Sequence, residues 1–268
     1  MKHLSKLSAL LLIAGVLVAC GSDSMLDSNG NIRFPDTKFA AYMVEHFDTN
    51  GDGGISPAEA ATITQIECPG MEIESLAGIK HCTELTYLDC GYKYENGNFT
   101  YNKLITLDVN KNTKLTGLNC SGNQLTTLNV SKNTKLAGLL CSYNQLTALD
   151  VSKNTELAHL VCSNNQLTAL DVRKNTKLDY LDCSDNQLTA LDVSKNTKLA
   201  YLRCYDNQLT TLDASMTNLG NSSWTYPLCC DMESLKTLYL KTGWELWGIN
   251  NPRDTDCIHP NTQIEYKD

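Results

Sequence analysis

Leucine and cysteine recur at a fixed spacing along the middle of the chain. From residue 115 to residue 214 the sequence repeats nearly five times, with 21 residues between equivalent positions. Each copy follows the pattern LxxLxCxxNQLTxLDVSKNTK, which in the first copy includes Leu115, Leu118, Cys120 and Asn123. A constant period of this length is typical of a solenoid, in which each copy forms one coil and buries its apolar side chains against neighbouring coils.

The apolar residues within one copy predict a short strand followed by a return segment. Leu118 and Cys120 are two residues apart, which is the period of a strand with one buried face. Leu125, Leu128 and Val130 then lead back along the other side of the coil. Strands of successive copies should form a parallel ladder, and a column of Asn amides should satisfy the backbone groups freed at the bend.

The segment LxxLxCxxNxL resembles the leucine-rich repeat family, with cysteine at a position that is usually aliphatic. Copies of 21 to 22 residues are similar to the short, internalin-like type of bacterial repeat. The resemblance implies an α/β-type repeat solenoid, an arc with a parallel β-sheet on its concave face.

The same template fits residues 63–240 when insertions are allowed. Between Cys90 and Asn102 lie nine extra residues, within a stretch that includes YKYENGNFTY. This insertion should project where a strand ends, either to contact a ligand or to pack on neighbouring coils. Residues 241–268 leave the template, and we expect them to form a C-terminal cap with three apolar side chains, Trp244, Trp247 and Ile264.

The start of the chain has the features of an export signal. In residues 1–20 a basic beginning precedes an apolar run, residues 9–19, which is too short to cross a bilayer as a helix. The run ends in LVAC, which resembles a bacterial lipoprotein box and implies that Cys20 becomes a lipid-modified N-terminus. The alternative is an ordinary cleaved signal with an incidental cysteine. We expect residues 21–35 to be a flexible tether, and the protein to be exported and lipid-anchored to the cell envelope, at the outer membrane or cell surface.

Charge and the absence of known motifs narrow the classes of function. Without the signal the chain carries 20 basic and 30 acidic residues, so nucleic acid is an unsuitable partner. The sequence contains no HExxH, no GxSxG and no phosphate-binding loop, and its histidines are scattered. We therefore predict that the protein is not an enzyme.

Residues 36–62 combine a predicted helix with an acidic, glycine-rich segment. Phe39, Met43 and Phe47 mark one face of the helix, and DTNGDGGISPAE follows. This segment resembles a single EF-hand or dockerin-like calcium loop. The resemblance implies six Ca²⁺ ligands, Asp48, Asn50, Asp52, the Gly54 carbonyl, Ser56 and Glu59. We expect calcium to stiffen a helical cap over the first coil; the alternative is an Asp- and Gly-rich surface turn.

Twelve cysteines in an exported chain raise the question of disulfide bonds. Eight of them occupy the repeat position and are called the ladder cysteines: Cys68, Cys90, Cys120, Cys141, Cys162, Cys183, Cys204 and Cys230. Equivalent side chains on adjacent strands lie about 4.8 Å apart, farther than the Cβ separation of about 3.8 Å in a disulfide. We predict free, buried thiols. Cys82, Cys229 and Cys257 remain, and a bond between the last two stays open.

The complete copies differ from one another mainly at strand positions. Their third, fifth and eighth places vary, whereas the convex segment SKNTK changes only at Glu156 and Arg173. Both regions should be exposed, so the contrast favours a concave face that contacts a ligand; the alternative is that strand positions tolerate more change. The candidate contacts are His159, Tyr180, Asp182, Tyr201, Arg203, Tyr205 and Asp206. This mixture of aromatic and charged side chains suits a protein or a glycan.

These features favour a non-enzymatic, surface-anchored recognition or adhesion protein. We expect a monomer that binds a protein or glycan ligand on the concave face and carries a structural calcium site. The alternative is a calcium-stabilised spacer or scaffold in the cell envelope, without a diffusible ligand.

Overall fold

The computed structural model describes residues 26–219, 228–243 and 258–268. The helices are α1 (Thr37–Phe47) and α2 (Pro57–Ala60), and a 3-10 helix spans Ile79–His81. The strands are β1 (Gln65–Glu67), β2 (Tyr87–Asp89), β3 (Lys93–Glu95), β4 (Asn98–Thr100), β5 (Gly117–Asn119), β6 (Gly138–Leu140), β7 (His159–Val161), β8 (Tyr180–Asp182), β9 (Tyr201–Arg203), β10 (Thr211–Asp213), β11 (Leu228–Cys229), β12 (Thr237–Lys241) and β13 (Gln263–Lys267).

One parallel sheet runs through the repeats, in the order β1-β2-β5-β6-β7-β8-β9-β11. Equivalent residues of successive copies pair in register, so that Leu160 lies opposite both Leu139 and Leu181. These central leucines are fully buried, and the strand residues on either side of them point to the opposite face. We call that opposite face the outer sheet face. The predicted repeat solenoid with a parallel sheet is confirmed.

The ladder cysteines are part of one continuous core. All eight are buried among the leucines, and the seven from Cys68 to Cys204 are free thiols. The prediction of unbridged thiols is confirmed for these seven. Cys82 is also a free, buried thiol, whereas Cys257 lies outside the described residues.

Helix α1 packs on the first coil through its apolar face. The Asp36 carboxylate caps the helix by accepting two backbone N–H groups of the first turn at 2.9 Å. Phe39 and Met43 are fully buried, and the Tyr42 hydroxyl accepts a hydrogen bond from the Glu67 N–H of β1 at 3.0 Å. Helix α2 has only four residues, so the cap is one helix and one further turn.

Residues 26–35 are packed, which corrects the predicted tether in this part of the chain. Leu26 forms an antiparallel bridge with Ile32, and the Ile32 N–H donates to the Ile55 carbonyl at 2.7 Å. Ile32 is buried and Phe34 packs against the core. The segment is too short to show a period, so these contacts could not be read from the sequence. Residues 1–25, with the predicted signal and Cys20, lie outside the described residues.

The return segments become strands at the C-terminal end, where β10, β12 and β13 form a parallel sheet. Leu238 lies opposite Leu212 on one side and Ile264 on the other. Ile264 is partly buried against the core, so this part of the tail closes the edge of the stack. Trp244 and Trp247 lie outside the described residues. Within the described part of the chain, no helix has the length and apolar character needed to cross a bilayer.

Candidate functional site

Strands β7, β8 and β9 bring distant residues together on the outer sheet face. His159, Tyr180 and Tyr201 occupy paired positions on these strands. The rings of Tyr180 and Tyr201 are stacked, with centroids 4.4 Å apart and planes 10° apart, and the His159 ring lies 6.2 Å from that of Tyr180. The Arg203 guanidinium lies 5.2 Å from the centre of the Tyr201 ring. The sheet thus builds one aromatic stack from residues 21 positions apart.

Exposure divides the seven predicted ligand contacts into two groups. Tyr201 and Asp182 are only 5% and 7% exposed. The Asp182 carboxylate accepts hydrogen bonds from the Ser184 hydroxyl at 2.6 Å and from the Ser184 N–H at 3.1 Å. These two residues therefore offer a ligand little surface. The other five are exposed or half-buried: His159, Tyr180, Arg203, Tyr205 and Asp206.

One further carboxylate, absent from the predicted set, lies beside these residues. Burial, together with the Asp206 and Asp182 carboxylates, raises the pKa of Asp185. The Asn164 side-chain amide donates to Asp185 at 3.3 Å. On the neighbouring stack, burial and the adjacent Tyr180 raise the pKa of Tyr201. Two carboxylates, those of Asp185 and Asp206, therefore lie close together just beyond the carboxyl ends of β8 and β9.

The eighth place of each copy has a left-handed backbone. Tyr143, Asn164, Asp185 and Asp206 have φ values from 49° to 54°, and Gly122 has 68°. Glycine, asparagine and aspartate tolerate this conformation best. The residues found at this place were interpreted above as ligand contacts. Most of them are instead explained by the left-handed backbone, which favours glycine, asparagine and aspartate. Tyr143 is the exception.

The constant segment SKNTK is not exposed throughout, contrary to expectation. Its asparagine is fully buried in every copy, and the Asn154 amide donates to the Val130 and Asn133 carbonyls of the preceding coil at 3.0 and 2.9 Å. Because it joins coils, this asparagine is constant for structural reasons. The lysines and threonines beside it are exposed. These residues are exposed and nearly constant, whereas the exposed residues of the sheet vary between copies.

The insertion after β2 forms an antiparallel hairpin from β3 and β4. Tyr94 lies opposite Phe99, with ring centroids 4.7 Å apart. Tyr92 and Tyr101 flank this pair, with ring centroids 6.2 Å apart. The strands are joined by Asn-Gly with positive φ at both residues, as in a type I′ turn.

The rings of the hairpin lie over neighbouring coils and remain exposed. A Cβ on Gly122 would come within 2.9 Å of the Tyr92 and Tyr101 rings, and Tyr143 meets Tyr92 edge-on at 6.3 Å. We call these rings the aromatic patch: Tyr92, Tyr94, Phe99, Tyr101 and Tyr143. The last four are 61, 53, 47 and 56% exposed, in that order. The hairpin therefore packs on the solenoid and still offers a large apolar surface, a feature of interaction sites.

The acidic loop is closed by its own backbone amides. The Asp48 carboxylate accepts the N–H groups of Gly51 and Gly53 at 2.7 and 2.8 Å. The Asp52 carboxylate accepts the Gly54 N–H at 2.9 Å, and the Asn31 side-chain amide donates to it at 3.3 Å. The loop thus folds around these two carboxylates.

Glu59 makes a different set of contacts at the end of the loop. One carboxylate oxygen accepts the N–H and hydroxyl of Thr49, both at 2.8 Å, and the other accepts the N–H and hydroxyl of Ser56, both at 2.9 Å. These hydrogen bonds, led by that of the Ser56 backbone, lower the pKa of Glu59 to about 2.

The side chains of this loop carry the kind of oxygen atoms that bind calcium. Only some of them are arranged to bind it, because hydrogen bonds occupy the Glu59 carboxylate. Asp48, Asn50 and Asp52 are hard oxygen ligands at the spacing of a calcium loop. Glu59 could join them only by exchanging its hydrogen bonds for the ion. In this conformation no three His, Cys, Asp or Glu side chains of the described residues come together as metal ligands.

Known proteins share both the repeat and the fold. Internalin J of Listeria monocytogenes serotype 4b is 38% identical over 83 residues, which are 31% of this chain and 8% of that protein. A solved domain of internalin J from Listeria monocytogenes, which includes a cysteine ladder, is 28% identical, covering 88% of this chain and 62% of that one with a TM-score of 0.35. No family model matches the chain.

Two solved structures overlap with the chain more closely. Internalin C2 of Listeria monocytogenes is 20% identical and covers 87% of this chain and 94% of its own, with a TM-score of 0.57. A leucine-rich repeat protein of Leptospira interrogans is 21% identical and covers 79% of this chain and 51% of its own, with a TM-score of 0.51. The chain therefore has the leucine-rich repeat fold.

Proposed function

We propose that this chain is a non-enzymatic recognition protein that binds an extracellular protein or glycan through its outer sheet face and the adjoining aromatic patch. The leucine-rich repeat fold supports a binding role, because its stacked coils form an extended surface of side chains that can change independently of the core. Fold alone does not assign a ligand, so the proposal depends on the surface.

The observation that carries the proposal is where the coils differ. Copies that share the same leucines, cysteines and buried asparagines carry different residues at the outward strand places, such as Asn119, Leu140 and Val161. The aromatic patch adds rings that are about half exposed and are held by a hairpin over the same side of the coils. Rigid aromatic side chains of this kind are common anchors in interfaces.

The test is substitution of the exposed contacts, followed by a screen for ligand capture. Tyr94→Ala with Phe99→Ala removes part of the aromatic patch, and His159→Ala with Arg203→Ala alters the outer sheet face. Thr134→Ala with Thr155→Ala is the matched control, since both threonines are exposed on the constant side. The probes are an array of purified extracellular proteins and a glycan array. Loss of capture in the first two variants, with unchanged melting temperature and a normal control, supports the proposal.

Absence of capture by the unaltered protein on both arrays would favour the second candidate, a spacer or scaffold in the envelope. Equal losses in all three variants would show that the outer sheet face and aromatic patch have no special role.

We also propose that the loop from Asp48 to Glu59 binds a structural calcium ion. Its Asx turns and donor types support this, and Asp52→Asn removes one ligand charge while keeping a group that accepts the Gly54 N–H. Asp27→Asn is the control, because Asp27 makes a similar turn with the N–H groups of Asn29 and Asn31 outside the loop. Calcium should raise the melting temperature of the unaltered protein and the control, and much less that of Asp52→Asn. An unchanged melting temperature on chelation would refute the site.

For anchoring, we propose lipid attachment at Cys20. Cys20→Ala should abolish incorporation of radiolabelled palmitate and release the protein from the membrane fraction. A variant that keeps its label and its membrane association would exclude this residue as the anchor.

A further inference from the structure

The constant side of the solenoid carries a row of exposed lysines. Each one directly precedes the buried asparagine of SKNTK or its equivalent, and we call the five the lysine row: Lys111, Lys132, Lys153, Lys174 and Lys195. Within the part of the chain that the structure describes, none of them forms an ion pair.

The buried asparagines hold the lysine row in register. The Asn133 amide donates to the Asn112 carbonyl at 2.8 Å, and Asn154 does the same to Asn133 at 2.9 Å. The next two coils repeat this contact at 2.8 Å. Because each of these bonds joins one loop to the next, neighbouring lysines lie on adjacent coils at equivalent positions. Five positive charges therefore lie along one line and repel each other.

Carboxylates border the lysine row on one side. Asp150, Asp171 and Asp192 lie three residues before a lysine, and each accepts a nearby backbone N–H at 2.8 to 3.0 Å. Three residues after the row, a second set of lysines is interrupted by Glu156, which pairs with Lys177. The bordering Asp150 and Asp171 carboxylates interact electrostatically with Lys153 and Lys174 without contacting them. The strip of positive charge is therefore narrow, and it runs along the axis of the stack.

We infer that the lysine row binds a linear acidic polysaccharide lying along the solenoid. A ligand that repeats along its length requires a surface that repeats, and the exposed lysines are constant in copies whose outer sheet residues differ. A recent origin of the copies would leave all of their positions alike. It does not account for this contrast, because the same copies contain both the constant lysines and the changed strand residues.

The geometry favours this polymer over two other polyanions. Lysines that occur once per coil are sparser than the charges of duplex DNA, about one per 1.7 Å, because stacked coils come no closer than adjacent strands, about 4.8 Å. A flat anionic membrane would also approach the bordering aspartates, which repel it. A thin chain with carboxylate or sulfate groups can follow the lysines alone.

The test compares two variants with the same change in net charge. The first replaces the lysine row by glutamine, and the second replaces five exposed lysines elsewhere, Lys38, Lys93, Lys103, Lys236 and Lys241. The probes are alginate oligosaccharides, neutral dextran, duplex DNA and phosphatidylglycerol vesicles, at several salt concentrations. We expect the unaltered protein to bind alginate with strong salt dependence, and the first variant to bind on the order of tenfold more weakly with a shallower salt slope.

The second variant should bind alginate within about twofold of the unaltered protein, since only distant and largely screened charges change. Both variants should keep melting temperatures close to that of the unaltered protein, because the ion pairs of Lys38, Lys93 and Lys103 that the second variant loses are exposed and contribute little. Equal weakening in the two variants, no preference for alginate over dextran, or equal binding to DNA or vesicles would each overturn the inference. Capture through the outer sheet face should be unaffected by the first variant, so the two proposals fail independently.

Discussion

Tyr143 shows how a single backbone position shapes the surface. It is the one member of the left-handed series that is neither glycine, asparagine nor aspartate. An L-residue in this conformation costs about 1 to 2 kcal/mol, and Tyr143 is 56% exposed with one edge-on ring contact to Tyr92. Its packing therefore offsets little of that cost. A strained, exposed aromatic is a reason to look for function at this point.

Replacing this tyrosine should make the protein more stable. Tyr143→Asn should raise the free energy of unfolding by about 0.5 to 1 kcal/mol, because asparagine adopts the left-handed backbone more easily. Urea denaturation measures the change. Asn164→Ala makes the reverse replacement, of a residue that tolerates the left-handed backbone by one that does not, and should lower stability by a similar amount. Destabilisation by Tyr143→Asn would mean that the ring's packing exceeds the backbone cost.

Each coil is joined to its neighbours by two asparagines with different bonding. The Asn165 amide donates to the Cys141 and Cys162 carbonyls at 3.0 and 3.1 Å, and its oxygen accepts the Leu146 N–H at 3.0 Å. Asn154 also donates twice, but its buried side-chain oxygen has no hydrogen-bond partner among the described residues. The strand-side asparagine thus satisfies more backbone groups than the convex-side one.

Truncation of these two asparagines should therefore have unequal effects. A buried backbone group that loses its partner costs about 1 to 3 kcal/mol. We expect Asn165→Ala to destabilise the protein by about 3 kcal/mol or more, and Asn154→Ala by less. Urea denaturation of both variants gives the comparison. The reverse order would show that the convex bonds hold the stack.

The cap should be sensitive to acid through Glu59. The folded-state pKa of about 2 lies below the ordinary value of 4.5, so this carboxylate stabilises the fold above pH 4.5 and loses that contribution as the pH falls toward 2. Glu59→Gln should therefore be less stable at pH 7 and lose less stability on acidification. Melting temperatures from pH 7 to pH 2.5 in a calcium chelator test this. Parallel curves for the two proteins would contradict the assignment.

The ladder cysteines extend through the entire stack and report on its integrity. Burial, together with Cys141, raises the pKa of the Cys162 thiol well above its ordinary value, and burial raises the pKa of Cys120 to about 12. Thiolate is the reactive form, so both should resist iodoacetamide at pH 8 in the native protein and react fully in urea. Mass spectrometry of labelled peptides measures this. Labelling of Cys162 without denaturant would show local opening of the stack, and failure to label in urea would show a bridged ladder.

The 21-residue period allowed the buried and bonding positions of the repeats to be predicted from the sequence, but little else. Leu160, Cys162 and Asn165 were identified because each recurs every 21 residues with a buried or bonding role. Asn154 recurs as regularly, but a polar segment gave no sign that one of its members is buried. Tyr201 was predicted as a ligand contact, yet stacking on Tyr180 leaves it 5% exposed. Ile32 belongs to no repeat, so its packing depends on contacts that only the fold creates.

The bonds between coils reach only the next coil in line, so the number of coils is not fixed by the bonding of any one of them. A loss or gain of 21 residues anywhere between Leu115 and Lys198 rejoins equivalent backbone positions, so each new junction has the same hydrogen-bonding partners as the old one. The solenoid can therefore be lengthened or shortened in whole coils, and each coil moves the hairpin and the C-terminal sheet apart or together by one strand spacing, about 4.8 Å.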